Sequence, residues 1–440
     1  MGNTRRSSFR ARISRRIAWL LVFACLTLSC SRVEEADSTP GSATVTIERI
    51  DDTYYAVDMT PGDDGSASGL GAAYGRAILA AFNDYAKKLD AYLAWMMAGM
   101  YDRADTYFAN AADIWPQVPE EYRKEIYGIA SVICTSSKDK PGDGRLSPAE
   151  FRLANLIGDA IRPTACSGLG VYGGASEDGA SRVLRMMEYV IGPPDSELSS
   201  FAAVSYIRGK GKSVCLVGYL GMSGAITGFN SRGVFAAVLD AATHAPYDPI
   251  GRYSYSMDIR KALETADSMD DVVAAMSEKP YAFNHSILLC DAGSSAVLEN
   301  SVSGGSEMRR QARTAETQLR PGVEWGFPDS VCAVNSFLLE GNCDNHSIFE
   351  HNYMRWESYR AKVAELGPGI SFADLVDISG FYIYDPDSPA QGDIYYRGHA
   401  SGTPQAVIFE PAGMRLDIAF TPPGPDFPLK PVYLFVPVRW

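Results

Sequence analysis

Cys166 has the most direct route to chemistry in this chain. It follows a small residue, Ala165, and opens the run Cys166-Ser167-Gly168-Leu169-Gly170-Val171, which reads as a strand. A cysteine attacks as thiolate, and an unperturbed thiol titrates near about 8.5. Cutting the bond between Ala165 and Cys166 would free an α-amino group that titrates near about 7.7–8.0, a base within reach of its own sulfur. That cut needs only the thiol, the preceding carbonyl and water, and the small Ala165 leaves room for it. Out of context, a lone cysteine reads as a buried structural residue.

The elements that would place Cys166 fall into two regimes. Residues 69–133 carry helical periodicity, with Gly71 and Gly75 one turn apart in an alanine-rich stretch. Ser147-Pro148-Ala149-Glu150 is a capping-box pattern that opens a helix running to about Asp159. From Cys166 onward, short apolar runs are broken by Gly and Asp-Gly: 166–172, 182–190, 200–207, 213–219, 233–239, 285–290 and 295–300. Residues 257–278 read as a helix or a helix pair. Helices first and hairpins afterwards predict an α+β fold.

The ends and the composition set the setting. Arg5, Arg6, Arg10, Arg12, Arg15 and Arg16 precede an apolar run, Ile17 to Leu28, that is short for a membrane span. It ends in Thr27-Leu28-Ser29-Cys30, which resembles a lipobox, so residues 1–29 are expected to be a lipoprotein signal peptide with Cys30 lipidated. Residues 30–45 read as a flexible tether, 46–165 as a helical pro-segment and 166–440 as the catalytic part. Anchoring through Cys30 would make the protein an exported, bacterial cell-envelope lipoprotein on a membrane surface. The formal charge is −13, and removal of the arginine-rich leader makes it more negative, which argues against nucleic acid as a partner.

Cys134, Cys166, Cys215, Cys290, Cys332 and Cys343 show no CxxC spacing, though Cys332 and Cys343 are near enough in sequence to pair in an oxidising compartment. His244, His285, His346, His351 and His399 form no metal motif, and no metal or other cofactor is expected. Asp139 to Glu150 has the length of a calcium loop, with Asp143 and Gly144 in place. However, Pro141 stands where a side-chain oxygen is needed, and a turn followed by a helix cap is the plainer reading.

The stretch Ala165-Cys166 to Asp178-Gly179 resembles the start of the catalytic subunit in acyl-coenzyme A:isopenicillin N acyltransferase and its relatives, kin of acid ceramidase and choloylglycine hydrolase. Other blocks resemble that group in the same order. They are Gly128-Ile129-Ala130, Leu153-Ala154-Asn155, Gly221 to Gly233, Ile259 to Leu263, Asp291 to Glu299, Val334-Asn335-Ser336-Phe337 and Arg355-Trp356.

The resemblance implies a four-layer α/β/β/α sandwich of the N-terminal-nucleophile type, a pro-segment retained as a small subunit beside the large one, and a small-molecule N-acyl amide substrate. It implies that Arg185 and Glu188 orient the amine and thiolate, although three residues apart on a strand they should face opposite ways. Asn230 and Asn335 become candidate oxyanion donors, with a turn as the alternative role for Asn230. Arg355 becomes a candidate for binding a substrate carboxylate. Three positions depart from the pattern: Met186 replaces an asparagine, Glu188 an aspartate and Ser336 a histidine. They leave open a decayed binding protein, and the Cys166-Ser167 start leaves open a phospholipase-B-like lipid hydrolase, beside the amide hydrolase or acyltransferase.

Overall fold

The structure, a computed structural model, describes residues 41–99, 104–161, 165–194, 197–209, 211–241, 243, 246–302, 310–342, 350–382, 392–397, 402–424 and 427–440. Cys30, Cys343, His244, His346 and His399 lie outside them, as do the expected leader and most of the tether. No helix among the described residues is long and apolar enough to cross a membrane.

The chain enters as a hairpin, β1 (Thr44–Ile50) and β2 (Tyr54–Thr60), turned by Asp51 and Asp52 in the left-handed region. Helices α1 (Ala67–Ala81), α2 (Tyr85–Gly99), α3 (Ala104–Ile114), α4 (Glu120–Ile133), α5 (Pro148–Asn155) and α6 (Ile157–Ala160) follow. Then come β3 (Ala165–Val171), β4 (Arg182–Tyr189), β5 (Ala202–Ile207), β6 (Val214–Tyr219), β7 (Thr227–Asn230), β8 (Phe235–Asp240), α7 (Tyr255–Thr265) and α8 (Met269–Ser277). The rest is β9 (His285–Cys290), β10 (Ser295–Asn300), β11 (Arg310–Arg313), β12 (Ser330–Ala333), α9 (Glu350–Leu366), α10 (Phe372–Ser379), β13 (Gly402–Glu410), β14 (Arg415–Phe420) and β15 (Leu434–Val436).

Among the described residues the strands form two sheets. One has nine strands in the order β1-β2-β5-β6-β7-β8-β9-β10-β11, the other six in the order β12-β3-β4-β13-β14-β15. Their facing surfaces interlock: Phe229 of the first stacks on Phe409 of the second at 4.1 Å between ring centroids. Gly168 and Gly170 are glycines because a Cβ there would run into Leu288 and Ser295 of the opposite sheet. Outside the six-stranded sheet, Leu169, Leu184, Met186 and Ile408 bury against Trp356, Tyr359 and Leu375 of α9 and α10. Helices α1, α7 and α8 pack on the nine-stranded sheet, so the order of layers is α/β/β/α and the fold is α+β, as expected.

One expectation needs correction. Residues 46–165 are not purely helical: β1 and β2 come first, and β2 pairs with β5 in parallel. Val45 and Ile47 give β1 the period-two pattern of a strand half-buried at a sheet edge, whereas β2, paired on both sides, is buried without a break from Tyr54 to Val57. The segment before Cys166 therefore contributes two strands to the sheet rather than lying beside it. It is also stitched down by close helix packing. At Gly71 and Gly128 an added Cβ would meet the carbonyl oxygens of Glu125 and Ser68, so α1 and α4 approach backbone to backbone. Arg260 of α7 then grips both carboxylate oxygens of Glu125 on α4 at 2.8 and 2.9 Å.

Candidate active site

Strand register decides where the chemistry-bearing side chains point. In the β3–β4 pair, Cys166 lies opposite Met187, and Gly168 opposite Arg185. Arg185, Met187 and Tyr189 therefore share the inner face with Cys166, whereas Leu184, Met186 and Glu188 point toward α9 and α10. Arg185 and Glu188 fall on opposite faces, as their spacing requires, and no bend brings them together.

On the inner face, Arg185 Nη2 donates to Cys166 Sγ at 3.5 Å and to the Val238 carbonyl at 3.2 Å. Arg185 is 1% exposed, and its Nε and Nη1 have no hydrogen-bond partner among the described residues. Burial pushes the Cys166 thiol up; the Arg185 charge beside it pulls it back down, and Glu188 adds to the rise. The sulfur faces a cavity of about 90 Å³ lined by Tyr85 and Tyr92 of α2, Phe151 of α5, Tyr255 of α7, and Tyr189, Phe201, Tyr219 and Phe283 of the strands and their connections. Cys166, Arg185, Asn155 and Asp240 are its conspicuous polar groups. Asp240, at the end of β8, was not singled out from the sequence; its only local signal is an acid closing a buried apolar strand.

Glu188 reaches Cys166 from behind. Its Oε2 accepts Arg355 Nη1 at 2.9 Å, and both side chains are fully buried. Arg355 Nη2 donates to Asn335 Oδ1 at 2.7 Å, and the same oxygen accepts the backbone N–H of Cys166 at 2.6 Å. Two donors converging on that atom fix it as the oxygen of the amide. Asn335 Nδ2 donates to the Asp240 carbonyl at 2.6 Å. Asn352, another residue the sequence did not flag, completes the cluster: its Oδ1 accepts Arg355 Nη2, and its Nδ2 donates to the Asn335 carbonyl. A buried relay thus runs Glu188–Arg355–Asn335 to the nitrogen of Cys166. Burial holds Glu188 up at about 8, with Arg355 and Arg185 pulling the other way.

β12 pairs with β3 only as far as Ala333 opposite Gly168. Beyond that point the Asn335 side chain does what the strand backbone no longer does, accepting the hydrogen of Cys166. This is why a loop residue two positions past a strand meets Cys166.

Two expected roles do not fit this geometry. Asn230 does not line the cavity. Its Nδ2 is spent on the carbonyls of Leu263 and Ala266 at the end of α7, and its Oδ1 on the amides of Arg232 and Val234. It is a turn and cap residue with no hydrogen left for an oxyanion. Arg355 does not face substrate space either, because Glu188, Asn335 and Asn352 take its guanidinium behind β3 and β4. The calcium-loop pattern has another use too: Asp90 of α2 accepts the amides of Gly142 and Gly144, and Glu150 Oε2 closes a capping box on Ser147. Cys332 is buried, and its candidate partner Cys343 is outside the described residues.

The segment leading to Cys166 is held by a titrating group. Asp159, buried in α6, accepts Ser254 Oγ at 2.7 Å, the Tyr255 amide at 2.8 Å and Ser256 Oγ at 3.1 Å. Desolvation pushes it up to about 7. The folded chain then binds a proton that the unfolded chain has released. Asp159 therefore stabilises the fold fully below about 4, and that stability is lost as pH rises toward 7. In an uncut Cys166→Ala chain, the melting temperature should fall by roughly 5 °C more between pH 5 and pH 8 than in the same chain carrying Asp159→Asn. Equal slopes in the two chains would remove Asp159 from this role.

No family model matches the chain, and no curated protein matches it in sequence. Among solved structures it is similar to an N-acylethanolamine-hydrolyzing acid amidase ortholog of Caenorhabditis elegans, at 14% identity and a TM-score of 0.37 over 56% of this chain and 93% of that one. It is similar also to a mutant of the conjugated bile acid hydrolase of Clostridium perfringens, at 12% and 0.36 over 58% and 89%. A third is a penicillin V acylase of Agrobacterium tumefaciens, at 16% and 0.29 over 61% and 85%. The first is named as an amidase, the second as a hydrolase and the third as an acylase. Overlap at these TM-scores carries no weight by itself; the chemistry rests on the side chains around Cys166.

Proposed function

We propose that this chain is a self-cleaving cysteine amide hydrolase with Cys166 as nucleophile, acting on small N-acyl amides whose acyl group is apolar. The observation that carries this is a double engagement of Cys166: its sulfur meets a buried guanidinium at the wall of an aromatic cavity, while its nitrogen is held by Asn335.

In the first stage Cys166 Sγ adds to the Ala165 carbonyl. The amide nitrogen takes the proton, the chain shifts onto sulfur, and water hydrolyses the thioester, freeing Cys166 as an N-terminus. In the second stage the α-amine takes the thiol proton and Sγ attacks the substrate carbonyl. The unmet Arg185 donors and an Asn335 hydrogen supply the electrophilic side. The amine product leaves with the α-ammonium proton, and water resolves the acyl-thioester. Asp240 is placed to hold the polar amine portion, and the aromatic wall to bury the acyl chain. Transfer to an acceptor amine in place of water is the acyltransferase version of the same step.

The departures from the family pattern are compatible with activity. Met186 points into the outer core, away from the cavity. Glu188 still reaches Arg355, and Ser336 Oγ still takes a hydrogen bond from Asn352. The reading includes an exported chain anchored through Cys30, with residues before Cys166 retained as the small subunit.

The test is release of free acid from a series of N-acyl amides of rising acyl length, by the wild type and by Cys166→Ala. Hydrolysis that increases with acyl length and disappears in the variant is expected. Hydrolysis of phospholipid esters with none of amides would replace the reading by the lipid hydrolase, and inertness toward both classes by the binding protein.

A further inference from the structure

Asn335 sits past the end of β12, on a stretch of chain with no ladder to fix it, yet its side chain must hold the Cys166 nitrogen to within a few tenths of an ångström if it is to act on it. The anchor lies in the opposite sheet. Glu299, near the end of β10, is fully buried, and its carboxylate receives four donors. Oε1 accepts the Leu338 amide at 2.7 Å and Arg313 Nε at 3.0 Å; Oε2 accepts the Leu339 amide at 3.1 Å and Asn342 Nδ2 at 2.8 Å. Leu338 and Leu339 are themselves buried, so their amides need an acceptor inside the protein. Arg313, 3% exposed, balances the charge and donates its Nη2 to the Cys332 carbonyl on β12 at 2.7 Å. The pair Glu299–Arg313 therefore grips the Asn335 stretch on both sides, Cys332 before it and Leu338 and Leu339 after it.

We infer that Glu299 is a positioning residue of this site, setting the reach of Asn335 to Cys166 through the backbone of residues 338 and 339. This rests on the proposed function for its catalytic consequence, but not for the placement itself. Glu299→Gln keeps the shape and replaces an acceptor oxygen by an NH₂ group, which faces two of the four donors with no acceptor.

The test is a double-mutant cycle with Asn335→Ala, read by the rate of cleavage before Cys166 and by kcat and KM, beside hydrogen exchange of the residue-166 amide in uncut Cys166→Ala chains. The expected result is a cleavage rate and kcat at least tenfold lower in Glu299→Gln, with KM changed less than threefold. In the Asn335→Ala background the further loss should be under twofold, and exchange of the residue-166 amide at least tenfold faster than with Glu299 present. Losses that simply multiply in the two backgrounds, or an amide as protected as before, would overturn the inference. A wild type that neither cuts itself nor hydrolyses amides would sink the proposed function, and the exchange measurement alone would then decide Glu299. Should Glu299→Gln not fold, the paired Glu299→Gln/Arg313→Met chain, which leaves no unbalanced charge, goes through the same cycle.

Discussion

Arg355→Met is expected to slow self-cleavage by about 100-fold and to lower stability by about 3 kcal/mol. The stability loss follows from what the guanidinium leaves behind: Glu188, fully buried, would lose the ion pair to its Oε2, and Oε1 already has no hydrogen-bond partner among the described residues. The loss falls at the low end for a broken buried pair because a carboxyl stranded without its guanidinium can take up a proton, the direction in which burial already pushes it. The rate loss has a separate origin. Asn335 Oδ1 loses its Arg355 donor, and with it the restraint that keeps the oxygen on the Cys166 nitrogen. Glu188→Met/Arg355→Met separates the two, since it removes the stranded carboxyl without restoring the donor. Thermal melts in the Cys166→Ala background should show stability recovered in the double variant, and cleavage assays with Cys166 present should show the rate still low. Recovery of both together would mean that the pair acts on the fold alone.

The second large effect belongs to Asn335. Before cleavage its oxygen holds the N–H of the bond to be cut; afterwards it would hold a hydrogen of the α-amine and turn the lone pair toward sulfur. Its nitrogen spends one hydrogen on the Asp240 carbonyl, and the proposed mechanism gives the other to a substrate oxygen. Asn335→Ala should therefore cost on the order of 100- to 1,000-fold in kcat and leave KM for a long-chain N-acyl amide within a few-fold, because the acyl group is bound by the aromatic wall. A KM effect as large as the kcat effect would place Asn335 in substrate binding instead.

What the sequence disclosed depended on the range of the information. The strands of the Cys166 half were legible because each is a short apolar run between turn residues: 182–190, 213–219, 285–290 and 295–300 fall on β4, β6, β9 and β10. The opposite facing of Arg185 and Glu188 was legible from the period of two. The first strand of the leading hairpin was readable by the same alternation, but the helical stretch behind it set the expectation for the whole segment. The hairpin's parallel pairing with β5 depends on a partner about 150 residues away, which no local pattern encodes. Asn230 was misassigned because an asparagine that closes a turn and one that polarises a carbonyl carry the same local signature; only the carbonyls of Leu263 and Ala266 tell them apart. Arg355 was found as important but given the wrong neighbour, since burial behind β3 and β4 cannot be seen from Arg355-Trp356. Asp240 and Glu299 acquire their meaning entirely from contacts distant in sequence, and Asn352 from its hold on Asn335 as well as on nearby Arg355.

The most direct measurement on the central claim is the intact mass and N-terminal sequence of the purified chain, wild type beside Cys166→Ala. The account predicts two co-purifying fragments in the wild type, the larger beginning at Cys166, and one uncut chain in the variant. A single uncut chain in both, across pH 4 to 8, or a cut that persists in Cys166→Ala, would contradict it.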